Sequence, residues 1–144
     1  MRSARAGFTV IELLIVVVIA GILLGISGPA IGNQIARDRV MRSAVVVEGM
    51  LNEASQLAVR RATPVRVVLS GTALQIQDRA TNAVIKQRNF GPGFELQASL
   101  SISPSGGIEI FPNGRANAAV SVTVSGTNLT QTVSRTATGI VRRQ

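Results

Sequence analysis

Apolar residues along this chain are spaced in three different ways, and each spacing predicts a different element. From Phe8 to Ile26 the apolar run is almost uninterrupted, with one carboxylate, Glu12, inside it. About 20 apolar residues span a bilayer as a helix, so the run predicts a membrane-spanning segment over 8–32. From Val40 onward the spacing changes. Val40, Ala44, Val47, Leu51, Ala54 and Ala58 recur every third or fourth residue, which puts them on one face of an α-helix. Arg37, Arg39, Glu48, Glu53 and Arg60 fall elsewhere on that wheel. Pro64 ends the helix and pushes Thr63 toward extended geometry, which sets an amphipathic helix over 33–63. Gly25, Gly28, Pro29 and Gly32 lie where the two helical patterns meet. Proline removes one backbone hydrogen bond and clashes one turn back, so Pro29 marks either the end of a span or a pliable joint in a longer helix.

Beyond Pro64 the period falls to two. Val65–Ser70 alternates, Gly71-Thr72 is a turn, and Leu74 and Ile76 alternate with Gln75 and Gln77. Arg79–Asn82 reads as a turn and Val84–Arg88 as a strand. Phe94, Leu96, Ala98, Leu100 and Ile102 predict one long strand over Phe94–Ser103. Ile108–Phe111 is short, and Pro112-Asn113-Gly114 is a strong turn signal. Val120, Val122 and Val124 alternate with hydroxyl residues, and Leu129–Val133 and Thr138–Arg142 follow as strands. The fold class is therefore α+β: a long N-terminal α-helix, membrane-spanning in its first half and amphipathic in its second, packed against an antiparallel β-sheet domain over 64–144.

Composition removes several kinds of chemistry. There is no His and no Cys, so the usual general base, the thiol nucleophile and any disulfide are missing. No carboxylates cluster in sequence, and no base is available to activate a hydroxyl. An enzyme is the weakest reading, and no catalytic residue, metal ligand or cofactor is assigned. With no Trp or Tyr and four Phe, stacking platforms for single strands are poorly supplied. The formal charge of +8 points instead to an anionic partner or to ordinary surface charge.

The start of the chain carries the most specific signal. Arg2 and Arg5 precede Gly7, and Gly7–Leu14 reads Gly-Phe-Thr-Val-Ile-Glu-Leu-Leu. A secretory signal peptide needs a small-x-small cleavage site, and Pro29 is badly placed in the small residues Ser27–Ala30. A plain anchor gains nothing from Glu12, because an acid at membrane depth is costly. The lysine-and-arginine count is also ambiguous, since Arg37, Arg39 and Arg42 follow the run.

These residues resemble the processing site of type IV pilins and pseudopilins. The resemblance implies a leader, Met1–Gly7, removed by prepilin peptidase between Gly7 and Phe8, and methylation of the new N-terminus at Phe8. Loss of the leader takes away Arg2 and Arg5 and leaves 13 basic against 7 acidic side chains, or +6. It further implies that the inner membrane holds the subunit before assembly, with the C-terminal domain periplasmic or otherwise extracytoplasmic. Other pilin or pseudopilin subunits are then its partners in a pilus or pseudopilus. There Glu12 can meet the N-terminal amine of a neighbouring subunit, and Pro29 lends the helix flexibility.

Later segments narrow the likeness. Ala54-Ser-Gln-Leu-Ala-Val-Arg-Arg-Ala-Thr-Pro-Val65, Ile110-Phe-Pro-Asn-Gly-Arg115 and the ending Thr138-Gly-Ile-Val-Arg-Arg-Gln144 look like the GspH/FimT family of minor pilins and minor pseudopilins. One branch of that family serves type II secretion. Another includes pilins that bind DNA during natural transformation, through a C-terminal Gly-Arg-x-Arg sequence. Here Gly139 and Arg142 match, while Ile140 stands where the first arginine would be, and Arg143 adds a charge one place later. The alternative reading is thus a DNA-binding minor pilin, with Arg115, Arg135, Arg142 and Arg143 as phosphate contacts.

Overall fold

The computed structural model describes residues 9–144, the side chains of 26–31 excepted. Its residues fall into two compact units, Met1–Ile35 and Ala36–Gln144. Helix α1 covers Val10–Arg61. The large apolar side chains of its first part, from Val10 to Leu24, are 51–80% exposed. Among the described residues no helix is long and apolar enough to cross a membrane. The expected span over 8–32 reaches past these residues: Phe8 and the side chains of 26–31 lie outside what is described.

In the second unit, the predicted helix face is the core. Val40, Ala44, Val47, Leu51, Ala54 and Ala58 are all buried, joined by Met50. Ser43 is buried beside them and returns its hydroxyl to the Arg39 carbonyl at 2.8 Å. The helix stops where Ala62 takes a left-handed conformation, φ 51°, just before Pro64.

Eight strands follow: β1 Val65–Ser70, β2 Ala73–Asp78, β3 Val84–Asn89, β4 Ser99–Ser103, β5 Ile108–Ile110, β6 Val120–Ser125, β7 Thr130–Arg135 and β8 Val141–Arg143. They form two four-stranded sheets, ordered β3-β2-β1-β5 and β4-β6-β7-β8, and every strand pair is antiparallel. Inward residues alternate as the period of two requires. Val65, Val67, Leu74, Ile76, Ile108 and Ile110 come from the first sheet, and Val120, Val122, Val124 and Val133 from the second. The turn after β6 presses on the helix, and a Cβ built at Gly126 would overlap Val40 Cγ2.

Two strands are shorter than their alternation predicts. β4 begins at Ser99, not Phe94. Its partner β6 ends at Ser125, which pairs with Ser99, so residues 94–98 have no ladder to join. They fold into a bend instead: Gly91 sits at φ 112° and accepts the Phe94 N–H at 3.2 Å. β8 begins at Val141, not Thr138, because Arg135 at the end of β7 already pairs with Val141. The intervening residues make the turn, with Gly139 at φ 104° and the Thr136 N–H on the Ile140 carbonyl at 2.9 Å.

Candidate functional site

Glu12 opens α1 and does not stand free. Thr9 donates its N–H to Glu12 Oε2 at 2.9 Å and its hydroxyl to the same oxygen at 3.0 Å. In return the Glu12 N–H donates to Thr9 Oγ1 at 3.3 Å. This is a capping box, which satisfies two backbone donors that a helix start otherwise leaves open. Both Thr9 donors go to Oε2, and among the described residues no hydrogen bond is made to Oε1. The carboxylate is exposed within a segment whose other large side chains are apolar and exposed. Such a rod needs hydrocarbon or other protein around it. Thr9 is absent from the residues expected from sequence; its signal was the Thr-x-x-Glu spacing of Thr9-Val-Ile-Glu12. The expected cleavage and methylation positions, Gly7 and Phe8, lie outside the described residues, as does the side chain of Pro29.

The four arginines expected as phosphate contacts are not gathered on one face. Arg115 is exposed in the turn after β5, where its N–H meets Asn113 Oδ1 at 3.0 Å. Arg142 and Arg143 are exposed but leave β8 on opposite faces. Arg142 stands opposite Ser134, whereas Arg143 Nη1 lies 4.0 Å from Glu48 on α1. Arg135 corrects the expectation: it is buried, 1% exposed, and does not reach outward. It points inward because it shares the face of Val133, two residues earlier on β7. Its Nη2 donates to the Gly114 carbonyl at 2.7 Å and Nη1 to the Thr136 carbonyl at 3.4 Å. Its Nε has no hydrogen-bond partner among the described residues. Burial pushes its pKa below the ordinary arginine value. Arg135 thus ties the turn before Arg115 to the turn before β8.

Two sequence stretches and one fold likeness place this geometry. Residues 2–28 match the family described as the prokaryotic N-terminal methylation motif. Type IV major fimbrial proteins FimA of Dichelobacter nodosus are similar over the first part of the chain. One is 44% identical over 50 residues, covering 35% of this chain and 31% of its own length. Another is 55% identical over 42 residues, covering 29% of this chain and 27% of its own length. The chain thus spans about a third of the length of the curated relatives it matches. The crystal structure of the type IV minor pilin FimU of Pseudomonas aeruginosa superposes with a TM-score of 0.62 at 16% identity, over 75% of this chain and 90% of that one. A second crystal form gives 0.58, over 72% and 91%. The fold is the pilin fold, and the first residues of the chain carry the N-terminal methylation motif.

Proposed function

We propose that this chain is a minor pilin of the GspH/FimT group. In this reading prepilin peptidase cuts it after Gly7, Phe8 is methylated, the inner membrane stores it, and it then packs beside other pilin subunits in a type IV pilus. Its work is structural and needs no catalytic group. One observation carries the reading: the exposed apolar stretch Val10–Gly25 of α1, whose one charged side chain, Glu12, is held in place at the helix start.

Cleavage after Gly7 would put a new α-amino group on Phe8, four residues from Glu12 and so about one helical turn away. Once the apolar segments of several subunits pack together, an unpaired carboxylate among them is costly. Pairing Glu12 with the amine of a neighbour removes that cost in one axial register and not in slipped ones. Thr9 contributes by fixing Oε2, which leaves Oε1 to the neighbour. A pilus is preferred to a secretion pseudopilus because the fold neighbour is described as a type IV minor pilin.

Glu12→Ala tests the proposal. The variant keeps its apolar segment, so it is inserted and processed. Its incorporation into sheared filaments, followed by immunoblot, falls well below that of wild type. Equal incorporation would remove the register role of Glu12 and with it the core of this reading.

A further inference from the structure

The outer faces of the two sheets differ in kind. On the first, outward side chains satisfy one another. Gln77 Nε2 donates to Gln75 Oε1 at 2.8 Å, Gln75 Nε2 donates to Gln87 Oε1 at 3.3 Å, and Arg79 Nε lies 2.6 Å from Glu109 Oε1. On the second sheet, β4, β6 and β7 carry a hydroxyl at every outward position. Ser101, Thr123 and Thr132 pair across the middle. To one side, Ser103, Ser121 and Ser134 pair in a row that ends on Arg142 of β8. To the other, Ser125 pairs with both Ser99 and Thr130. The hydroxyls therefore repeat about every 5 Å across the strands and about every 7 Å along them. None of these residues is buried, and none makes a side-chain hydrogen bond among the described residues.

The Ser99–Ser125 end of this grid opens into a depression of about 360 Å³, lined also by Gln97, Thr127 and Arg39. Arg39 is its one charged lining residue and makes no ion pair among the described residues. A hydroxyl both donates and accepts, so a grid of hydroxyls matches a ligand whose own groups do both. An apolar partner would strip water from the grid without replacing its hydrogen bonds. A nucleic acid needs cations along its backbone or stacking platforms for its bases, and the grid has neither. A sugar polymer matches the grid. Carboxylates on that polymer match the two exposed arginines at its margins, Arg39 and Arg142, because a guanidinium fork pairs with a carboxylate. We propose that the outer face of the second sheet binds an acidic polysaccharide built of uronic acid units. Its hydroxyls lie on Thr123, Thr132 and their neighbours, and one carboxylate enters the depression to meet Arg39. The site lies wholly within the second unit and goes beyond the assembly reading, since it uses neither Glu12 nor the apolar segment.

Full-length protein in mild detergent, immobilised and exposed to polygalacturonate, tests the proposal, with dextran as the uncharged polymer. Wild type is expected to hold polygalacturonate about tenfold more tightly than dextran. Thr123→Val/Thr132→Val removes two hydroxyls while keeping the branched shape that strands favour, and should weaken polygalacturonate binding about tenfold. Arg39→Gln/Arg142→Gln, at two exposed positions, should bring polygalacturonate down to the level of dextran. Thermal melts followed by circular dichroism, matching wild type, show that both variants are folded. Folded wild type that does not hold polygalacturonate, binding unchanged in either variant, or equal binding of duplex DNA would overturn this inference. The assembly reading would stand in each case, because incorporation into filaments is measured separately.

Discussion

Glu12 and Arg135 show how much a single position depends on what surrounds it. Glu12 is a charge in an apolar stretch of sequence, and Arg135 one in a stretch rich in hydroxyl residues. Thr9 orients Glu12 at the surface of the helix start, whereas Arg135 is turned inward and spends its donors on two turn carbonyls. The acid stands out in the sequence because it is the one charge in an apolar run. The buried arginine was not legible, because sequence alone does not say which way the last residue of β7 faces. Arg135→Ala removes a large buried side chain and two hydrogen bonds, so urea unfolding should show a loss of about 2–4 kcal/mol. Under the proposed processing a peptidase must approach the backbone at Gly7, so Gly7→Val should leave the precursor uncleaved, read as a larger band on an immunoblot. Asp78 gives a pH prediction. The Thr81 and Ala80 N–H groups donate to its Oδ1 and hold its carboxyl below the ordinary value of 3.8. A carboxyl depressed on folding stabilises above its unfolded pKa. That contribution is present above about pH 4 and lost as pH falls through the lowered value. An NMR titration of the Asp78 carboxyl should show that lowered midpoint.

Among the elements, periodicity read the amphipathic helix face residue by residue, because each of its apolar positions is buried against strands. β1, β2, β5 and β6 were legible for the same reason. Alternation overran at Phe94–Ala98 and at Thr138–Ile140, since it reports which side chains could line a strand and not whether a partner strand is there. The division of the strands into two sheets was also illegible, because pairing is decided between segments far apart in sequence. Two substitutions test the element ends. Ala62 occupies a left-handed position that glycine adopts without strain, so Ala62→Gly should raise stability by about 0.5–1 kcal/mol. Gly126→Ala forces a methyl into Val40 and should lower stability by about 1–3 kcal/mol. Thermal unfolding of both variants beside wild type measures the two effects.

At the scale of the whole molecule, one unit carries exposed apolar side chains from Val10 to Leu24 and the other is a packed α+β unit, and the proposed assembly would cover the first. The +8 charge does not by itself specify a partner. Its arginines are divided among a buried clamp at Arg135, the two faces of β8, the helix, and other strands and turns, and only the fold reveals that division. The central claim is that the chain is processed at Gly7 and enters filaments through its apolar segment. Mass spectrometry of the protein recovered from sheared filaments tests this directly. The account predicts a chain that begins at methylated Phe8, and an intact Met1–Gly7 leader on the assembled protein would contradict it.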